Sequence, residues 1–177
     1  MEEWVGELWH KYITRKASQD YQDAKVHFNE VSKSVGMVFR ALGGDAIKRV
    51  EAASSRDYQV RRTFLQKISG ENMQSSLAWQ DEESLRLPES LAVFPRAELN
   101  RDLYIWLAVL AAEQRGGFKH WAIDNQQLVV DVLAKYPSLK PRYQNLAQAF
   151  VISRADHSKR PKAEQQMEQA IIDAVLN

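Results

Sequence analysis

Apolar residues along this chain fall into helix-spaced stripes, with one dense run near the middle. Leu103 to Ala112 is ten apolar residues in a row. A bilayer-spanning helix needs about 20, so the run predicts a helix buried inside a protein core. Leu99, Leu103, Trp106, Leu107 and Leu110 share one face, while Tyr104, Ile105, Ala108 and Ala111 make the opposite face apolar too. A helix apolar on both sides must be covered on most of its surface, which makes residues 99–113 the predicted hub. Upstream, Pro88 and Pro95 bracket a lead-in that cannot be helical throughout. Asn100 or a near neighbour is positioned to cap the first turn, and Gly116-Gly117 lets the chain turn out at the far end.

The remaining stripes surround this hub. Residues 2–16 carry Trp4, Val5, Leu8, Trp9, Tyr12 and Ile13 at helical spacing, and 18–42 continue with Tyr21, Ala24, Phe28, Val31, Val35, Phe39 and Leu42. Gly36 breaks or bends that second region, leaving one long helix or two abutting ones. Gly43 and Gly44 stop it, and Asp45 is placed to cap a short helix over 46–53. Further helices are predicted over 56–68, 120–135 and 139–153, and a last one begins at Pro161. Alternation of Leu77 and Trp79, then Leu85 and Leu87, with polar neighbours predicts a small hairpin of 75–79 and 84–87. A two-stranded ribbon is marginal by itself, so Trp79 should anchor it on the helices. The expected fold is mainly α: a single domain, 1–177, of seven or eight helices around 99–113, with one hairpin near 75–87. Gly43, Gly44, Trp79, Pro88, Phe94, Pro95, Tyr104 and Trp106 are its expected structural residues. The last helix reaches Asn177 without a capping residue, as if the chain were cut from a longer protein.

Composition narrows the classes. A chain of 177 residues can bury one real core, and 45% apolar with 27% charged residues is an ordinary globular mixture. Net charge of +1 provides no global field for nucleic acid or anionic membrane. The lack of cysteine excludes disulfides and thiolate zinc sites and suits a reducing compartment. The opening MEEWVGELWHKY is acidic and amphipathic, unlike a signal peptide, so a cytoplasmic location with no membrane contact is expected.

Candidate chemistry is sparse. The phosphate-cradling pattern G-x-x-x-x-G-K-[ST] is missing. Asp156-His157-Ser158-Lys159-Arg160 imitates a D-x-S-x-S cation motif but places arginine, which cannot ligate a cation, at its end. His10, His27, His120 and His157 are scattered, and no G-x-S-x-G elbow occurs. Neither a catalytic set, nor a metal site, nor a cofactor is predicted. The basic segment 154–162, with Arg154, Lys159, Arg160 and Lys162, could meet phosphates, but it lacks the aromatic residues that normally stack bases. Asn100-Arg101-Asp102 has two readings. In the structural one Asn100 caps the hub helix, Asp102 complements its N-terminus and Arg101 bonds a neighbouring loop carbonyl or carboxylate. In the other, the triplet joins Arg96 in a docking surface.

The run LP-x-x-L-x-x-FP-x-x-x-LNRDLY-x-WLA, with RALGGD at 40–45 and RRTFLQKISG at 61–70, resembles the N-terminal region of the CbbO/NorD family. The resemblance covers roughly residues 35–155. It implies a multidomain adaptor that pairs with a hexameric MoxR-type AAA+ ATPase and carries a C-terminal von Willebrand A domain, absent here. On that resemblance the leading expectation is a non-catalytic CbbO-type docking domain. It would help couple ATP hydrolysis to the remodelling of Rubisco and the release of inhibitory sugar phosphates, reaching Rubisco indirectly through the missing domain. The alternatives are a NorD-type adaptor for maturation of nitric oxide reductase and, from another class, a helical nucleic-acid-binding domain using 154–162. The candidate partner-binding residues are Arg96, Asn100, Arg101, Asp102, Arg154, Lys159 and Arg160.

Overall fold

The computed structural model describes residues 21–53, 79–80, 83–114 and 121–154, together with positions 165, 169, 172–173 and 175–176. After a 3-10 turn at Gln22–Ala24 come strand β1 (Val26–His27) and helix α1 (Phe28–Ala41). Strands β2 (Arg49–Ala53), β3 (Trp79–Gln80), β4 (Ser84–Pro88) and β5 (Ser90–Leu91) follow. Helix α2 (Ala97–Glu113), helix α3 (Trp121–Lys135), a 3-10 turn at Pro137–Leu139 and helix α4 (Lys140–Arg154) complete the order. The described residues thus hold four α-helices with two small sheets, rather than seven or eight helices with one hairpin. The helices predicted over 2–16 and 56–68 and the outer part of the hairpin, 75–78, lie outside the described residues, as does most of the last helix.

The hub is where the apolar run placed it. Along α2, Leu99, Leu103, Tyr104, Trp106, Leu107, Ala108, Val109 and Ala111 are buried on more than one side. Helices α1, α3 and α4 each pack against it. Phe28, Val31, Val35 and Phe39 fill the α1 side, and Val132, Leu146 and Phe150 close the other. Trp106 stacks obliquely on Tyr143 of α4, with ring centroids 5.0 Å apart. Rings at this separation add modestly to the area they bury.

Glycine ends α1 as predicted, though no helix restarts at Ala46. Gly43 adopts φ 93°, which an L side chain rarely tolerates. Its N–H donates to Arg40 O at 3.1 Å, and that of Gly44 to Phe39 O at 2.9 Å. These two bonds satisfy the last carbonyls in the Schellman arrangement. Asp45 accepts the Ile47 N–H at 2.9 Å, closing a tight turn rather than opening a helix. The chain leaves that turn as β2, so the helix predicted over 46–53 is overturned. Strand pairing decides the matter: β2 runs parallel to β4, Arg49 opposite Ser84 through Ala53 opposite Pro88. Across this register Arg86 Nε donates to Glu51 Oε1 at 2.9 Å on half-buried side chains.

The hairpin expectation holds in part. β3 pairs antiparallel with β4, Trp79 opposite Arg86 and Gln80 opposite Leu85, and the sheet order is β2-β4-β3. Leu85 and Leu87 point into the core with no exposure. The anchoring role expected of Trp79 concerns a side chain outside the described residues. The region predicted as 18–42 is broken at Lys25–His27 rather than at Gly36, because Val26 and His27 pair with Leu91 and Ser90. Gly36 lies buried inside α1, beneath Arg40, whose Nη1 donates to the Gly36 carbonyl at 3.1 Å.

Candidate functional site

The predicted polar triplet lies at the start of α2, and the structure divides it. Asn100 is not the cap. The helix begins three residues earlier, with Arg96 in the extended conformation at its N-cap and making no side-chain cap bond. Asn100 is fully buried in the first turn. Its Oδ1 accepts the N–H groups of Val93 and Phe94, both at 3.0 Å. Its Nδ2 donates to Ala24 O at 2.8 Å and Phe94 O at 3.0 Å. Both donors and both acceptor positions of the amide are used, which is the condition for burying it cheaply. The side chain pins the 92–94 lead-in to α2 and ties both to the 3-10 turn far upstream. It cannot belong to a docking surface.

Tyr104, one helical turn on, completes this buried polar line. Its hydroxyl donates to the Pro88 carbonyl at 2.8 Å, and its ring tilts against Phe28 at 6.0 Å. Burial, aided by the nearby negative charges of Glu30 and Glu89, pushes the phenol well above its ordinary range. Pro88, Phe94, Asn100 and Tyr104 therefore converge on one job, fixing the path of the extended lead-in. Pro95 and Arg96 stand exposed at its end.

Arg101 and Asp102 face outward and reach side chains of neighbouring helices, Arg101 meeting a carboxylate as the structural reading allowed. Asp102 Oδ1 accepts from Arg142 Nε of α4 at 2.8 Å, with both side chains about a third exposed. Arg101 lies 3.8 Å from Glu30 of α1, a looser pair with both ends about half exposed. Each is worth little by itself at this exposure. Glu30 also accepts the His27 N–H at 2.9 Å while the His27 ring accepts the Glu30 N–H, a capping box on α1. The x-x-E spacing after His27 is readable in the sequence, whereas Arg142 has no local signal. At the far end of α2, Glu113 accepts from Lys135 Nζ at 2.8 Å and from Tyr136 Oη at 2.7 Å. The hydrogen bond to Glu113, with the Tyr136 contact behind it, raises the Lys135 ammonium above its usual range.

Arg154 is the last residue of α4, its side chain outside the described residues, and Lys159 and Arg160 lie outside them altogether. Among the described residues, no group of three or more His, Asp or Glu side chains is placed to hold a metal ion. None of the helices among them is long and apolar enough to cross a membrane.

These observations define an α-rich domain with a small mixed sheet, centred on a buried helix and a pinned lead-in. Over 175 residues, 99% of its length, the chain is 47% identical to Protein NorD of Stutzerimonas stutzeri. It is 46% identical over 171 residues to an uncharacterized protein of Pseudomonas aeruginosa, and 30% over 193 residues to Protein NorD of Brucella abortus. The chain spans only 28% or 29% of the length of these relatives. No family model and no solved structure matches it. The similarity supports a NorD-type protein. It overturns the expected assignment to Rubisco activation and carbon fixation, since the named relatives are NorD proteins.

Proposed function

We propose that this chain is a non-catalytic adaptor module of the NorD type, acting in the maturation of nitric oxide reductase by docking on a MoxR-type AAA+ ATPase. The observation that carries the NorD-type reading is the 47% identity to Protein NorD along nearly the whole chain; the ATPase partner comes from the resemblance of the LP-x-x-L-x-x-FP-x-x-x-LNRDLY-x-WLA run alone. The architecture is compatible with it. Asn100, Tyr104 and Glu113 spend their polar groups in holding helices and lead-in together, as in a rigid part that transmits rather than reacts. No cofactor is required by this role, and we place it in the cytoplasm, where such an ATPase finds its nucleotide.

The test is genetic and enzymatic. In the source organism, the coding segment for residues 1–177 is removed in frame, and nitric oxide consumption by isolated membranes is measured under denitrifying growth. The expected result is membranes that hold the reductase polypeptide but consume little nitric oxide, with activity restored by the intact gene. Normal consumption in the deletion strain would refute the proposal.

A further inference from the structure

Two successive residues tie the start of α4 to the hub. Arg142 reaches Asp102, and the Tyr143 ring lies against Trp106, one turn further along α2. The Tyr143 hydroxyl continues beyond the hub. It donates to the Val175 carbonyl at 2.8 Å, 32 residues later in the chain. Burial holds this phenol above its ordinary range, so at neutral pH it keeps the proton it donates. Ile172, Asp173, Val175 and Leu176 are helical, and Val175 packs half-buried against the core.

The hold on these late residues differs in kind from the hold on α3 and α4. Helix α3 buries Val132, and α4 buries Leu146, Ala147 and Phe150. Of Ile172, Asp173, Val175 and Leu176, none is fully buried. Leu176 is 57% exposed. Apolar burial stabilises in proportion to the area removed from water, so a half-buried valine holds far less than a buried phenylalanine. A segment with so few buried apolar contacts opens at a free energy well below that of the whole domain. The directional bond from Tyr143 then decides how tightly it closes.

We propose that the segment carrying Ile172 and Val175 is a strap, latched by Tyr143, that opens and closes on α4 while the α2-centred core stays folded. Opening frees the Tyr143 hydroxyl where its ring meets Trp106, so the position of the strap is felt at the hub. This device does not depend on the docking reading. Its test is native-state hydrogen exchange of the 177-residue chain in low, stepped urea. In wild type, the Val175 and Leu176 amides should exchange by a local opening that exposes little surface and hardly responds to urea. The Leu107 and Val109 amides of α2 should wait for global unfolding and respond steeply. Tyr143→Phe keeps the ring on Trp106 and removes the hydroxyl. It should speed the Val175 and Leu176 amides roughly threefold to tenfold, as the loss of one hydrogen bond requires. Tyr104→Phe loses a hydroxyl at the lead-in instead, so it should speed Leu107 and Val109 and leave Val175 and Leu176 at the wild-type rate. An unchanged rate at Val175 and Leu176 in Tyr143→Phe would overturn the latch, because a helix end that merely frays ignores that hydroxyl. A shared urea response of the two pairs of amides, or equal acceleration of both by Tyr104→Phe, would overturn the strap as a separate unit.

Discussion

Replacing Asn100 with alanine tests the pinned lead-in most severely. The substitution leaves four buried backbone groups without their partner: the N–H of Val93 and of Phe94, and the C=O of Ala24 and of Phe94. A buried polar group left unsatisfied costs about 1–3 kcal/mol, and partial entry of water into the space vacated by the amide recovers some of it. The sum is on the order of 3–5 kcal/mol, a large share of the roughly 5–15 kcal/mol that holds a domain folded. For a chain of this length that is a fall of about 10–15 °C in melting temperature. Asn100→Leu should do no better, because filling the volume leaves the same four groups orphaned. Asn100→Asp keeps the two accepted bonds and loses the two donated ones. Burial raises that introduced carboxyl, so its charged form is what folding disfavours, and the variant should recover stability as pH falls, whereas Asn100→Leu should not. Urea melts followed by circular dichroism measure the loss, and amide exchange at Val93 and Phe94 reports the site itself. A melting temperature for Asn100→Ala within about 3 °C of wild type, with both amides still protected, would refute the reasoning.

Three further outcomes follow from the same geometry. Gly44→Ala should cost about 1–3 kcal/mol, because a Cβ there would lie 2.6 Å from the Phe39 ring and from its carbonyl oxygen. Gly43→Ala meets no neighbour but must hold φ 93°, so about 1 kcal/mol is expected, and chemical denaturation of the pair should rank them in that order. Tyr104→Phe loses the bond to Pro88 and should cost about 1–2 kcal/mol at neutral pH. Because the folded phenol is raised, its contribution is intact below about pH 10, where an unfolded tyrosine ionises, and falls as pH rises above that. Wild type should then lose up to about 1.4 kcal/mol per pH unit more than the variant, as read by denaturant melts at stepped alkaline pH. Glu113→Ala should destabilise more than Lys135→Ala in the same melts, since the half-buried Glu113 serves both Lys135 and Tyr136 while Lys135 reaches out from solvent.

Much of the helical scaffold is legible because it is written locally. The apolar run of 103–112, the stripe of Leu146 and Phe150, and the stop at Gly43-Gly44 need only neighbours three or four residues away. The sheet is not. Ala46–Ala53 is rich in good helix formers behind a capping Asp45, and only the parallel partner β4, some 35 residues later, turns part of it into a strand. Two-residue strands such as β1 and β5 leave no periodic trace at all. Asn100 stands out in the sequence, but for a reason the structure replaces. A polar residue near a predicted helix start looks like a cap, and that its amide instead reaches back to Ala24 is a matter of tertiary packing. Arg101 and Asp102 read as polar residues of a helix start or of a docking surface, but their partners Glu30 and Arg142 come from helices brought together only in the fold.

The proposed docking of this chain on an AAA+ ATPase is tested most directly by co-elution. The 177-residue chain is mixed with the cognate MoxR-type ATPase and run on size-exclusion chromatography with light scattering, with ATP, with ADP and without nucleotide. The expected result is a shared peak whose mass exceeds that of the ATPase hexamer. Separate elution of the two proteins in all three nucleotide conditions would contradict it.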